Sequence, residues 1–276
     1  MRKINITTIV FALCIWCSFV YAGQEIVNVS DNRADYSDSK IPRYEKFEST
    51  FDIKWHMPNG SEYDPIADGT VNPYWPYDEN PPVSIPAKAG ISVDGLFSND
   101  NWQTTITVSS FYYQEYERHL VSGDGSDWGS EVVTPKGTPH WCLRFAPTQN
   151  GQWQYKIRVV DSSGTSEYPE TSPLNFECVD AINNNGFVQV SQKDPRYFEF
   201  SNGTPFIGIG VNIAGTLPTT FKADTLLKTL GDNNVKVARY FMNYRAGQDP
   251  FGGGDVGTPG GPEWGFSLSM SDQGGR

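Results

Sequence analysis

Between residues 44 and 179 the chain carries short strand segments, two of them alternating apolar and polar positions, the period of strands that bury one face. The alternation is loose over residues 44–53. It is clean over residues 153–160, where Trp153, Tyr155, Ile157 and Val159 interleave with Gln154, Lys156 and Arg158. Further strand segments are predicted at residues 90–97, 102–108, 111–116, 141–145 and 174–179. Turn residues separate them at Ser98-Asn99-Asp100-Asn101 and Gln149-Asn150-Gly151. Residues 123–129 are predicted as a loop. No helical period occurs before residue 186. Short strands at regular spacing predict a mainly β fold, a β-sandwich over residues 44–182.

Two stretches stand outside this pattern. Residues 23–43 are polar without a sustained period and are predicted as a linker. Residues 58–88 are rich in Pro, Gly, Asp and Asn and form a long loop carrying Tyr74, Trp75 and Tyr77. Those rings either pin the loop to the sandwich or offer faces on which a sugar stacks; loops of this length are often functional.

The pattern changes at Asn183-Asn184-Asn185-Gly186, a polar turn that marks a domain boundary. Short strands are predicted at 187–190 and 197–200. An apolar run follows at 205–211, suited to a strand buried on both faces of a parallel sheet. A helix over 222–230, with Leu226, Leu227 and Leu230 on one face and Gly231 as its stop, leads to a strand at 234–242. Strand, helix and strand make a right-handed crossover in a parallel sheet. Residues 247–276 hold many glycines and no regular period.

The N-terminus adds a compartment. Arg2 and Lys3 precede an apolar stretch that ends in Val20-Tyr21-Ala22, the pattern of a secretory signal peptide over residues 1–22. Secretion to the extracellular space or periplasm is expected, with no membrane association after cleavage, because no later segment is apolar enough to span a bilayer. The leader carries two basic residues and no acid. Its removal leaves 19 Lys and Arg against 32 Asp and Glu, and the formal charge moves from −11 to −13. Such a surface repels phosphate backbones and argues against nucleic acid as a partner. Cys142 and Cys178 are the cysteines left after cleavage, and an oxidising compartment makes them a possible disulfide pair. No metal site and no cofactor are expected: His56, His119 and His140 are scattered and lack ligand spacing. Gly252-Gly253-Gly254 lacks the Lys-Ser/Thr pair of a phosphate loop.

Several segments, in order, resemble a known arrangement. Phe111-Tyr112-Tyr113 with Tyr116-Glu117-Arg118, and residues 143–155 (Leu-Arg-Phe-Ala-Pro-Thr-Gln-Asn-Gly-Gln-Trp-Gln-Tyr), resemble the immunoglobulin-like N-terminal domain called domain of unknown function 5060. Gly186-Phe187-Val188-Gln189-Val190-Ser191, residues 197–206 and Gly208-Ile209-Gly210-Val211-Asn212 resemble the entry into the (β/α)8 catalytic domain of the glycoside hydrolases that carry it. The resemblance runs from about residue 44 to about 245; the long insertion at 58–88 departs from it. It implies an immunoglobulin-like β-sandwich followed by an incomplete α/β, TIM-barrel segment over residues 186–276, in a secreted enzyme acting on a polysaccharide or oligosaccharide. Glycoside hydrolysis uses two carboxyl groups that flank the scissile bond. In such barrels they stand on later strands than this chain includes, so the implied expectation is an inactive fragment with no catalytic residue of its own. Because the barrel does not close, the apolar run at 206–211 is expected to be partly exposed.

Chemistry in such a barrel collects at the C-terminal ends of the strands. The candidate substrate-binding residues are therefore Asn212 after the first strand, Arg239, Tyr240 and Asn243 at the second, and Trp264 in the loop beyond. By resemblance, Arg239 is the arginine beside the nucleophile, where a fixed cation keeps a carboxylate ionised; it is otherwise an ion-pair partner within the barrel. Asn212 bonds a sugar hydroxyl or closes a strand-to-loop turn. Trp264 stacks on a sugar or anchors its loop. Glu263 and Asp255 share one glycine-rich segment that does not fix their separation, so they make no catalytic pair. Two other functions remain open, a carbohydrate- or cell-surface-binding protein without catalysis and a structural spacer.

Overall fold

A computed structural model describes residues 23–127, 129–213 and 219–240. The predicted leader, Asn243 and Trp264 lie outside them. The first sheet is built from β1 (Gly23–Asp31), β3 (Phe47–His56), β8 (Glu131–Phe145) and β7 (Phe111–Leu120) in that order, with β4 (Glu62–Tyr63) on β3. The second runs β2 (Ile41–Pro42), β11 (Leu174–Val179), β9 (Gly151–Asp161), β5 (Ser92–Ser98) and β6 (Ile106–Ser109), with β10 (Gly164–Tyr168) also on β9. Short β2 joins β11 in parallel, and the other pairings of the two sheets are antiparallel. Read in chain order, these are the A-B-E-D and G-F-C-C′ sheets of an immunoglobulin-type sandwich.

Alternation explains why the sheets face each other. Phe47, Ser49, Phe51, Ile53 and Trp55 are the inward positions of β3, and Trp153, Tyr155, Ile157 and Val159 those of β9; all are buried. Rings interleave across the gap. Phe47 of the first sheet stacks on Phe176 of the second with centroids 4.5 Å apart, and Phe97 of the second stacks on Phe145 of the first at 4.0 Å. Fully burying one such side chain contributes about 1.5–3 kcal/mol.

The polar start of the chain is not a linker. Residues 23–31 are β1, paired with β3 and interrupted by a bulge between Val27 and Ser30. Its polar Gln24 is 2% exposed and donates to the Asp161 carboxylate, which also accepts from the Trp55 indole at 2.7 Å and from the Ser163 backbone at 2.7 Å. A buried carboxylate is tolerated here because donors surround it. Two other elements differ from expectation. β8 begins ten residues before the predicted strand at 141. Trp102 lies in a turn, and β6 starts only at Ile106.

After β11 a small sheet forms from β12 (Val188–Val190), β13 (Phe198–Phe200) and β14 (Pro205–Phe206). β15 (Gly210–Ile213) then leads to α1 (Thr220–Asp232) and to β16 (Val237–Tyr240), which pairs with β15 in parallel. The apolar run at 205–211 is thus split between β14 and β15 and is not buried on both faces: Ile207 and Ile209 are each 72% exposed. Among the described residues no helix is long and apolar enough to cross a membrane.

Candidate functional site

Of the predicted site residues, Asn212, Arg239 and Tyr240 fall at the C-terminal ends of two neighbouring parallel strands. Asn212 pairs with Arg239 in register, and Ile213 with Tyr240. A strand's side chains alternate between faces, so Asn212 and Arg239 share one face and Ile213 belongs to the other. Ile213 is buried, whereas Asn212 and Arg239 are exposed. The pair is therefore solvent-accessible on its face of the two-stranded sheet. An amide that both donates and accepts, beside a permanent cation, suits hydroxyl and carboxylate groups. Asn243 and Trp264 lie outside the described residues, and nothing further is drawn from them.

The first turn of α1 is held by the sandwich. Thr219 is the N-cap: its hydroxyl accepts from Lys222 N at 3.2 Å and donates to the Gly125 carbonyl at 2.6 Å. Glu131 of β8 accepts from Thr220 N at 2.7 Å and bonds the Thr220 hydroxyl. A carboxylate at this end of a helix is favoured by its dipole. Arg118 of β7 donates to Thr220 Oγ1 at 2.7 Å and to Asp224 Oδ2 at 2.8 Å, with its guanidinium 5.1 Å from the Phe221 ring centroid. Gly125 sits at φ +82°, where a Cβ would meet Thr219 Oγ1 at 2.7 Å. The position needs glycine both for its conformation and for the close approach. No local sequence pattern marks this joint, whose two halves lie 89 to 106 residues apart. Thr219, directly ahead of the helix, carried the signal for its helical half, since threonine is a good N-cap.

Cys142 and Cys178 are unbonded thiols. Trp141 and Leu143 belong to the core, so alternation turns Cys142 to the outer face of the first sheet. Cys178 packs inside the core beside Phe176 on the second sheet. Side chains on such different surfaces cannot bridge. Burial pushes the Cys142 thiol up to about 12 and the Cys178 thiol up to about 11.

The long loop divides its duties. Val71 is buried in the core, Ile66 packs against it, and Ile91 N donates to the Trp75 carbonyl at 2.9 Å. Tyr74 is 69% exposed and leans edge-on against Tyr112 at 6.3 Å. Among the described residues no cluster of three or more His, Cys, Asp or Glu is placed to hold a metal ion.

No protein-family model and no curated protein matches the chain. Among solved structures, it is similar to the crystal structure described as that of a putative glycoside hydrolase from Bacteroides vulgatus ATCC 8482, at 17% identity and a TM-score of 0.39. The match covers 73% of this chain, which spans 28% of the length of that protein.

Proposed function

We propose that this chain is the N-terminal part of a secreted glycoside hydrolase acting on polysaccharide. In this reading residues 1–22 are its signal peptide, the immunoglobulin-like sandwich is an accessory domain, and residues 186–276 begin a (β/α)8 catalytic domain. The observation that carries the reading is the β15-α1-β16 unit, with Asn212 and Arg239 in register at the ends of its parallel strands, following the sandwich and the small β12–β14 sheet. Strand ends of this kind are where barrel enzymes place their chemistry. The segments around Tyr113, Trp153 and Asn212 that resemble such hydrolases support it independently of the geometry.

The role assigned to Arg239 is electrostatic. Its guanidinium stabilises the ionised form of a catalytic carboxylate supplied by a later strand, and Asn212 holds a sugar hydroxyl beside it. No described residue is assigned as acid, base or nucleophile. The test is the release of reducing ends from a panel of polysaccharides by the protein translated from the full reading frame. Hydrolysis of at least one polymer is expected, and Arg239→Ala should lower kcat/KM by about 10²–10³-fold, the usual cost of removing one stabilising group. Absence of hydrolysis across the panel, or unchanged turnover in Arg239→Ala, contradicts the proposal. A second reading, carbohydrate binding without cleavage, draws on the exposed Tyr74 ring. It predicts retention on a polysaccharide with no reducing ends released.

A further inference from the structure

The outer face of the second sheet carries a cavity of about 340 Å³ lined by Leu96, Trp102, Thr105, Lys156, Glu167, Thr171 and Pro173. Its size falls at the lower end of small-molecule sites, about 300–1,000 Å³. Two interruptions of the sheet build its walls. One is the connection from β5 to β6, where Phe97 pairs with Ile106 and leaves residues 98–105 as an excursion. The other lies between β10 and β11. Tyr168 pairs with Ile157 and Leu174 with Tyr155, so the partner strand advances six residues while β9 advances two. Residues 169–173 are left out of the ladder in consequence. The floor is Leu96, which lies opposite Lys156 on β9.

Trp102 is the unusual member of this set. It adopts φ +64° directly after Asn101 at φ +56°. The left-handed region is costly for a bulky side chain and persists where the surroundings enforce it, often at functional sites. Here they do. Ser98 Oγ accepts from Trp102 N at 2.9 Å and donates to Asp100 Oδ1 at 2.8 Å, while Asp100 accepts from Thr104 N at 3.0 Å. Hydrogen bonds from Thr104 and then Ser98 hold the Asp100 carboxyl down to about 2, so the lock stays charged over the whole physiological range. What the lock presents is an indole that belongs neither to the core nor to the layer packed on it. Trp55, Trp141 and Trp153, by contrast, are all core residues.

The polar groups around the ring define the ligand. Lys156 and Glu167 form an ion pair of 3.1 Å, a diagonal contact across β9 and β10. The pair brings donors and acceptors to the cavity with no net charge, and Thr105 and Thr171 add hydroxyls. A flat aromatic face, balanced charge and hydroxyls suit a neutral pyranose, whose C–H face lies on the indole and whose hydroxyls exchange hydrogen bonds with ammonium, carboxylate and threonine. The geometry points to a sugar-binding subsite at Trp102, on the sandwich and separate from the strand ends of β15 and β16, that holds a neutral pyranose unit of a polysaccharide. The choice of a polymer rests on the function proposed above; the choice of a neutral sugar rests on the cavity.

Affinity electrophoresis tests it, with the chain run through gels containing mixed-linkage β-glucan, xylan, galactomannan or pullulan, and polygalacturonate as a charged control. At least one neutral polymer should retard the chain. Trp102→Ala should weaken that binding at least tenfold and Trp102→Tyr much less, both with unchanged circular dichroism. Lys156→Ala, which removes only one half of a surface ion pair, should weaken it severalfold and keeps the test open if Trp102→Ala does not fold. Equal retardation of wild type and variants overturns the subsite and leaves the polysaccharide reading standing. Retardation by polygalacturonate alone overturns the neutral ligand. If no polymer retards the chain but the full reading frame hydrolyses one, the subsite alone fails; if neither occurs, both fail.

Discussion

The two regions of the described chain handle apolar surface in opposite ways. In the sandwich, a single cluster running from Ile26 to Cys178 gathers the large rings, and Phe47, Phe97, Trp153, Tyr155 and Phe176 are each buried to within 2%. In the second region, Phe187, Val188, Val190, Tyr197, Phe198, Ile207 and Ile209 are all at least 46% exposed. The strands there are as apolar as those of the sandwich. They differ in lacking an opposing layer among the described residues, because β12 to β16 form sheets of only two or three strands. Apolar content alone therefore does not make a core; a second face must be supplied. The second region leans instead on a polar joint, in which Arg118 and Glu131 hold the first turn of α1.

The largest expected effect tests the sandwich side of this contrast. Phe47→Ala removes a ring packed on Phe97, Tyr155 and Phe176, and should destabilise by about 3–5 kcal/mol in denaturant titrations. Ile209→Ala should cost less than about 0.5 kcal/mol, as at other exposed positions. Equal costs would break the comparison. Next, Asp161→Ala strands the Gln24 and Trp55 donors between the sheets. At about 1–3 kcal/mol per stranded donor, a total loss of about 3 kcal/mol is expected in the same titration. The joint ranks third. A double-mutant cycle on Arg118→Ala and Asp224→Ala, read by thermal unfolding, should give a coupling of about 1 kcal/mol. A coupling of zero would mean that α1 is held by other contacts.

The smallest effect is a pH dependence. Burial pushes the Glu48 carboxyl up, but hydrogen bonds from Arg144 at 2.6 Å and Lys46 at 3.1 Å outweigh it and hold the group below its ordinary value. A depressed carboxylate stabilises the fold above its unfolded pKa, about 4.3, and that contribution is lost as pH falls through the lower folded value. Melting temperature should therefore decline below about pH 4.3, and Glu48→Gln should flatten part of the decline. An identical acid profile in the variant would remove Glu48 from the account.

Most of the sandwich was legible because its inward positions repeat every second residue. Residues 174–179 were predicted to their ends as β11, and the helix predicted at 222–230 is the centre of α1. β1 was not legible. Its Gln24 faces inward although it is polar, since its partner Asp161 lies 137 residues away, and the bulge at Asn28 breaks the alternation. Trp102 misled for the opposite reason. An aromatic residue beside Thr-Thr-Ile-Thr has strand propensity, but the Ser98 and Asp100 hydrogen bonds override it. Asn212 and Arg239 were placed on their strands from sequence; that they stand opposite one another is a matter of register, which no local pattern specifies. The thiols show the same limit, because spacing says nothing of the face to which Cys142 turns.

Native-state hydrogen exchange tests the central contrast most directly. The account predicts that the slowest amides lie in β3, β8 and β9, and that those of β15 and β16 exchange at least about 10²-fold faster, as expected where few apolar contacts must open. Equal protection in β15, β16 and the sandwich strands would contradict it. That result would mean that the strands carrying Asn212 and Arg239 share the stability of the aromatic core.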